Sequence, residues 1–423
     1  MSQIPRDGTF DSTRALIREG YDFVSSRCQR YGTDVFRTRL MLRPAFCARG
    51  EEAARMFYHP DRFTRKGAFP PMTLLLLPDF GSAVLLDGEA HRWRKRMLMS
   101  LMTRDSILRV AELMAARWRS RMGRWEGGGD VVLLREAQEI LCGAACEWAG
   151  IPLAEDEVPR RARELASMTE GAGAVGPRAL RGMVLRSRTE RWVRDIIRRV
   201  RSGALEAREG SPLRALAGHH DINGELLDVR TAAVEMINLL RPTVSVAWFV
   251  TFAAHALHAH PGSRRRIEAG DDDYLELFVQ EVRRFYPLFP LVAGRARYAF
   301  TWRDHRFERG SWVILDLYGT NHDPGAWEEP ERFWPERFRR WNGSAFNFIP
   351  QGAGSHADTH RCAGEWTTIE LLKTASRLLA TAMHYEVPEQ DLSIDLGRIP
   401  AAPASGFVIR NVTISQRDTE AQR

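Results

Sequence analysis

Apolar positions along this chain recur mostly at the three-to-four-residue spacing of buried helix faces, with only short stretches of strand-like alternation. After a loose start the pattern is helical to about residue 30, and residues 33–41 then alternate as a strand would. Helical periodicity covers 105–121 and 132–148, with a glycine loop at 127–129. Residues 160–202 are helical and arginine-rich, which predicts a solvated charged face. Loops are expected at 203–212 and 218–224. A long apolar helix follows at 226–258, and another at 271–286 stops at Pro287, which cannot donate the next backbone hydrogen bond. Short strands with turns at Asp304 and Gly310 occupy 298–315. A helix begins directly after Cys362, with Trp366, Ile369, Leu372, Leu379 and Met383 near one face, and 385–412 reads as loops and short strands. The ends, about 1–10 and 416–423, are expected to be disordered. No internal repeat interrupts this order. One domain over 1–423, mainly α with small β-sheets, accounts for the pattern.

Composition narrows the class. The 44% hydrophobic content supports a sizeable core. Five cysteines, an odd number scattered over 423 residues, argue against a disulfide framework and for a reducing, cytoplasmic compartment. Cys142 and Cys146, four apart on a helix with no adjacent metal ligands, read as small buried hydrophobes. The first residues have no apolar core, and Leu74–Leu77 is too short to span a bilayer, so neither a leader nor a membrane anchor is expected. The net charge is +7. Only Lys66, Lys95 and Lys373 are lysines, so 58 of the 61 basic residues are arginines. They are spread along the whole chain without interleaved stacking aromatics, which argues against a nucleic-acid partner and for a coding bias. A positive field also collects anionic substrates.

Four constellations carry chemistry. Cys362 lies in a glycine-studded loop at a helix N-terminus, where the dipole and free N–H groups favour thiolate. A thiolate is presented to a heme iron in this way. Glu281 and Arg284 are i,i+3 on one helix face, and His91 and Lys95 are i,i+4 on another. Arg241 is the only charge between Glu235 and His255 in the long apolar helix, which rules against a membrane span. A guanidinium buried there needs a partner, and Pro242 beside it should bend the helix.

The Cys362 loop, with Glu281-x-x-Arg284, the Pro335-Glu336-Arg337-Phe338 run and the Asn321-His322-Asp323-Pro324 turn, resembles the cytochromes P450. The longer form, Pro350-Gln351-Gly352-x-Gly354 followed by His360-Arg361-Cys362-x-Gly364-Glu365, resembles the hydrogen-peroxide-using fatty-acid peroxygenases of that family. The resemblance spans about 21–407 and implies the P450 fold with heme b (iron protoporphyrin IX) held by Cys362. It also implies propionate contacts from Arg65, His91, Lys95 and His360, and a structural charge network of Glu281, Arg284 and Arg337. Arg241-Pro242 stands where ordinary P450s carry an acid–alcohol pair, as in the peroxygenases. It implies that Arg241 holds the carboxylate of a long-chain fatty acid, which then serves as acid–base, with hydrogen peroxide as oxidant and no redox partner. Products would be 2- or 3-hydroxy acids, terminal alkenes, or both. Phe69, Val84, Leu85, Leu288, Phe289 and Phe407 are apolar candidates for the acyl channel. Segment 81–86 lacks the polar residue relatives often carry, leaving hydroxylation against decarboxylation open, and the spacer 355–359 is this chain's own. Two other readings remain: a monooxygenase fed by a redox partner, and a non-catalytic heme protein that binds a lipid acid.

Overall fold

The computed structural model describes residues 4–415. Its larger sheet joins segments from distant parts of the chain. The strands are β1 (Val35–Leu40), β2 (Arg43–Ala48), β3 (Phe63–Thr64), β4 (Leu291–Ala296) and β5 (Trp312–Asp316), in the order β1-β2-β5-β4-β3. β5 is buried at every position. Its Trp-Val-Ile-Leu sequence is therefore an unbroken apolar run, as expected of a strand covered on both faces. Phe46, Phe57, Phe63, Phe307 and Leu315 pack together on this sheet as a core separate from that of the helices.

The helices that bear on the site are α1 (Gly88–Ser100), α2 (Arg104–Trp125), α3 (Leu133–Ala149), α4 (Val158–Ala172), α5 (Pro177–Arg201), α6 (Val229–Ala259), α7 (Asp272–Phe285) and α8 (Glu365–Arg377). Asp228 caps α6 by accepting from Arg230 N and Thr231 N. Asp271 caps α7, and Tyr286, extended ahead of Pro287, ends it. α6 runs through the middle of the molecule and packs on α3, α4, α5, α7 and α8. It is apolar nearly all round because it is covered nearly all round. Among the described residues it is the one helix long and apolar enough to cross a membrane, and 89% of its most apolar stretch is buried within the protein. The helix continues through Pro242.

Three expectations are corrected. Residues 160–202 divide into α4 and α5, and not all of their arginines are solvated. Arg161 is buried on Glu164 at 2.8 Å, and Arg186 is buried on Asp79 at 2.9 Å. Residues 4–10 are tied down: Arg6 bridges to Arg37, and buried Asp7 accepts from Arg27 Nε at 2.8 Å. The remainder of the expected disordered ends, 1–3 and 416–423, lies outside the described residues. The helical start divides into Thr13–Glu19 and Asp22–Tyr31. Cys28, Cys47, Cys142 and Cys146 are buried and free.

Candidate active site

The loop before α8 folds back on itself. Cys362 N donates to Gln351 O at 2.9 Å. Gly352 has φ +97, and a Cβ there would sit 2.9 Å from Tyr58 Oη. Gly354 has φ +80, with Thr359 Cγ2 at 2.9 Å. Both glycines are required by the loop's own packing and handedness. The thiol of Cys362 lies deep in the chain yet is not fully covered. Burial first, then Glu365, raise its pKa; the Gly364 N–H, Lys95 and Gln351 lower it, and the net direction is up. The helix end alone therefore does not produce a thiolate here. A coordinated metal ion would, because it deprotonates a thiol outright.

Two buried charge clusters brace this loop. On α7, Glu281 accepts from Arg284 Nε at 2.8 Å and Nη2 at 2.9 Å, from Arg337 Nε at 3.2 Å and from Trp334 N at 2.8 Å. Arg284 also donates to Asn321 O at 2.9 Å, and Asn321 Oδ1 accepts from Ile349 N at 2.8 Å. The network thus reaches the start of the cysteine loop through the Asn321–Pro324 turn. The second cluster centres on Glu365, which accepts from Arg361 Nε at 2.7 Å, His356 Nε2 at 2.9 Å and Arg283 Nη2.

Arg65, His91 and His360 line one cavity together with Tyr58 and Asp87. His91 and His360 stack at 4.1 Å between ring centres. Burial, then neighbouring cations, pull His91 down to about 4 and His360 well below its ordinary range, so both imidazoles are neutral at pH 7, and His360 donates its one N–H from Nε2 to Leu86 O at 3.2 Å. Arg65 donates to Ala293 O at 2.5 Å and lies over the Phe57 ring. Lys95 does not line this cavity: its Nζ donates to Thr359 O at 3.1 Å and to Arg361 O, clamping the cysteine loop onto α1. Burial pulls its ammonium down to about 8.

Arg241 is 8% exposed. Its Nη2 donates to Leu77 O at 3.2 Å and Asn238 Oδ1 at 3.1 Å, its Nε is buried with no partner, and no carboxylate pairs with it among the described residues. Burial pulls it down to about 9, Arg186 adds to this and Cys362 opposes it, so it remains a cation at neutral pH. The only carboxylate on α6, Glu235, is taken by Arg94 at 2.8 Å and by Ala83 N at 2.6 Å. The hydroxyls that follow Arg241 are also committed. Thr243 donates to Leu239 O, and Ser245 donates to Arg241 O while bonded to Thr169.

Val84 and Leu85 lie in the short turn Ala83–Leu85, Val84 exposed and Leu85 buried. Phe289 packs between the helical and sheet cores. Phe407 is fully buried against His255 and His258, fourteen residues or about 21 Å along α6 from Arg241, and is corrected to a core residue.

The family model for cytochrome P450 matches residues 271–366. Three solved structures are similar over nearly the whole chain. Cytochrome P450SP alpha in complex with (R)-ibuprofen is 46% identical, with TM-score 0.93 over 96% of this chain and 99% of that one. Cytochrome P450EX alpha with myristic acid is 41% identical, with TM-score 0.95 over 98% and 100%. Cytochrome P450 OleT in complex with arachidonic acid is 34% identical, with TM-score 0.94 over 98% and 99%. This chain is a cytochrome P450 of the fatty-acid peroxygenase branch. The P450 fold and a heme-thiolate oxidoreductase activity with heme b follow from that membership. At family level the chemistry is peroxide-dependent hydroxylation or decarboxylation of fatty acids. The residues present fit the cofactor: an incompletely covered thiol on one side, and on the other a cavity lined by a buried guanidinium and two neutral imidazoles.

Sequence reasoning did not find the Glu365 cluster or the Arg94–Glu235 pair. Glu235 did carry a signal, since an acid inside an apolar helix needs a cation from elsewhere. Nothing local in the sequence marks Arg283 as its neighbour Arg284's equal in burial.

Proposed function

We propose that this P450 uses hydrogen peroxide to oxidise long-chain fatty acids next to the carboxylate, as a cytoplasmic protein that needs no redox partner. The supporting observation is Arg241: a buried cation on the central helix, without an acid partner and with an unbonded Nε. Heme b, when bound, would be held by Cys362 Sγ, with Arg65, His91 and His360 toward its propionates, and would supply the peroxide cleavage and carbon–hydrogen oxidation; Lys95 serves the cysteine loop.

Arg241 grips the substrate carboxylate with its free Nε–H and the adjacent Nη2–H, which exchanges one of its present contacts with Leu77 O or Asn238 Oδ1 for the ligand; this paired fork fixes the acyl chain with Cα and Cβ nearest the reacting centre. Pro242 carries no N–H and leaves the Asn238 carbonyl without its helical donor at this point of the helix. α6 presents no free acid, because Glu235 is paired and the Thr243 and Ser245 hydroxyls are bonded. The substrate's own carboxylate oxygen is then the group positioned to accept a proton from peroxide and return it, the general acid–base role that an acid–alcohol pair fills elsewhere. Leu85 and Phe289 line the inner acyl channel, and Val84 lies at its rim. Glu281, Arg284 and Arg337 keep the loop register.

The test mixes heme-loaded ferric protein with a long-chain saturated fatty acid and hydrogen peroxide, without redox proteins. The expected products by mass spectrometry are 2- or 3-hydroxy acids, or an alkene one carbon shorter. No product from protein that shows a thiolate-type ferrous–carbonyl band would overturn the reading.

A further inference from the structure

Glu365 is three residues beyond Cys362, at the first position of α8, and is 3% exposed. It takes two guanidinium groups and an imidazole. Arg361 donates from Nε at 2.7 Å and from Nη2 at 3.2 Å, Arg283 donates from α7, and His356 approaches at 2.9 Å. Arg283 is itself 1% exposed and stays in place through Gln351 Oε1 at 3.1 Å. His356 comes from the 355–359 spacer and stacks on Trp366 at 4.2 Å, which closes the cluster toward solvent. Burial alone would push the Glu365 carboxyl up; Arg283, His356 and Arg361 override it and hold the group well below the ordinary carboxylate range. Its negative charge is felt at the sulfur, because Glu365 is the largest charge acting to raise the Cys362 thiol.

We infer that Glu365 is a positioning residue for the heme-thiolate centre: its negative charge offsets in part that of Arg283 and Arg361 around the Cys362 loop and so preserves electron donation from the sulfur. Arg361, next to Cys362 in the chain, and the buried Arg283 would, if unopposed, leave two positive charges around this loop, drawing density from the sulfur and favouring the reduced, more negative iron. In a water-poor interior each such charge acts with little screening, and partners one layer out from a metal ligand set its potential. The spacer 355–359 thereby gains a role, since it delivers His356 to the third side of the same carboxylate. This rests on Cys362 being the axial ligand and is independent of which substrate is oxidised.

The experiment is a spectroelectrochemical titration of the ferric/ferrous couple in substrate-free holoprotein, without peroxide. Glu365→Gln is expected to raise the midpoint by at least about 59 mV, a tenfold change in the ferrous-to-ferric ratio at fixed potential. Glu365→Asp should restore most of the difference. Arg361→Gln should move the midpoint the opposite way, and the double variant should return toward wild type because the local charge is restored. An unchanged midpoint in Glu365→Gln overturns the inference, as does a positive shift in Arg361→Gln. If Glu365→Gln does not retain heme, the sign of the Arg361→Gln shift decides alone. A wild-type protein without the thiolate-type carbonyl band overturns this inference together with the Cys362 assignment. Absence of peroxide turnover in protein with that band bears only on the proposed substrate.

Discussion

Replacing Arg241 by leucine removes a buried cation that has no acid partner among the described residues and lies within electrostatic reach of Cys362. The guanidinium has five N–H donors. Nε is free, and Nη2, now on Leu77 O and Asn238 Oδ1, can exchange one of these neutral acceptors for the carboxylate to complete a two-bond fork. A hydrogen bond to a charged group contributes about 1.5–3 kcal/mol. Two such bonds, less the cost of ordering the chain around them, come to about 3 kcal/mol, or roughly a hundredfold in Kd. The substitution also strands the ligand's carboxylate in a site with no other free cation on α6. Fatty-acid affinity is read from the heme absorbance on titration, for the acid and its methyl ester, in wild type and Arg241→Leu. The acid should lose about two decades of affinity and the ester almost none, so that the coupling between guanidinium and carboxylate appears as a double-mutant-style cycle. Peroxide-driven turnover should fall at least as far, since the same carboxylate is the proposed acid–base. Loss of less than about threefold for the acid, or equal losses for acid and ester, would refute the reasoning.

Glu281→Gln strips the shared carboxylate from Arg284 and Arg337 and should cost about 3–5 kcal/mol, the range for an uncompensated buried charge; urea unfolding measures it, and a change under 1 kcal/mol would mean that backbone acceptors already satisfy both arginines. Gly352→Ala places a Cβ 2.9 Å from Tyr58 Oη at φ +97 and should lower the melting temperature by several degrees through strain of about 1–3 kcal/mol; Tyr58→Phe should recover only the clash, not the strain. Asp316 is fully buried, and burial pushes its carboxyl up to about 7 against the Gly319 N–H and the Ser25 hydroxyl. The folded state therefore binds this proton more tightly than the unfolded chain does. The resulting stability is complete below about pH 4 and is lost as pH rises through about 7. Asp316→Asn should flatten the unfolding midpoint across that window, and an unchanged slope would contradict the assignment.

Much of this molecule was legible from the chain because its cues are local. The boundaries of α6 and α7 follow from Asp228, Asp271 and Pro287, each acting within one turn of itself. Glu281 and Arg284 share a helix face by spacing alone, and Arg241 is conspicuous as a lone charge in apolar surroundings. Other features depend on which distant segments meet. Whether the arginines of 160–202 are solvated turned on Asp79 and Glu164, and sequence order does not place Asp79 against α5. Lys95, which the resemblance implies as a propionate contact, donates to two loop carbonyls in the fold. The helix end after Cys362 acts on the thiol through one local field, and only the fold shows that burial and Glu365 act against it. The sequence by itself determined the mainly helical class, the thiol and the lone guanidinium, and the order of its local motifs carried the resemblance to the family, since motifs and three-to-four spacing act over a few residues. The tertiary structure alone decided which charges are paired, which glycines are compelled, and what surrounds Cys362, because electrostatics and packing depend on distance in space and not on separation along the chain.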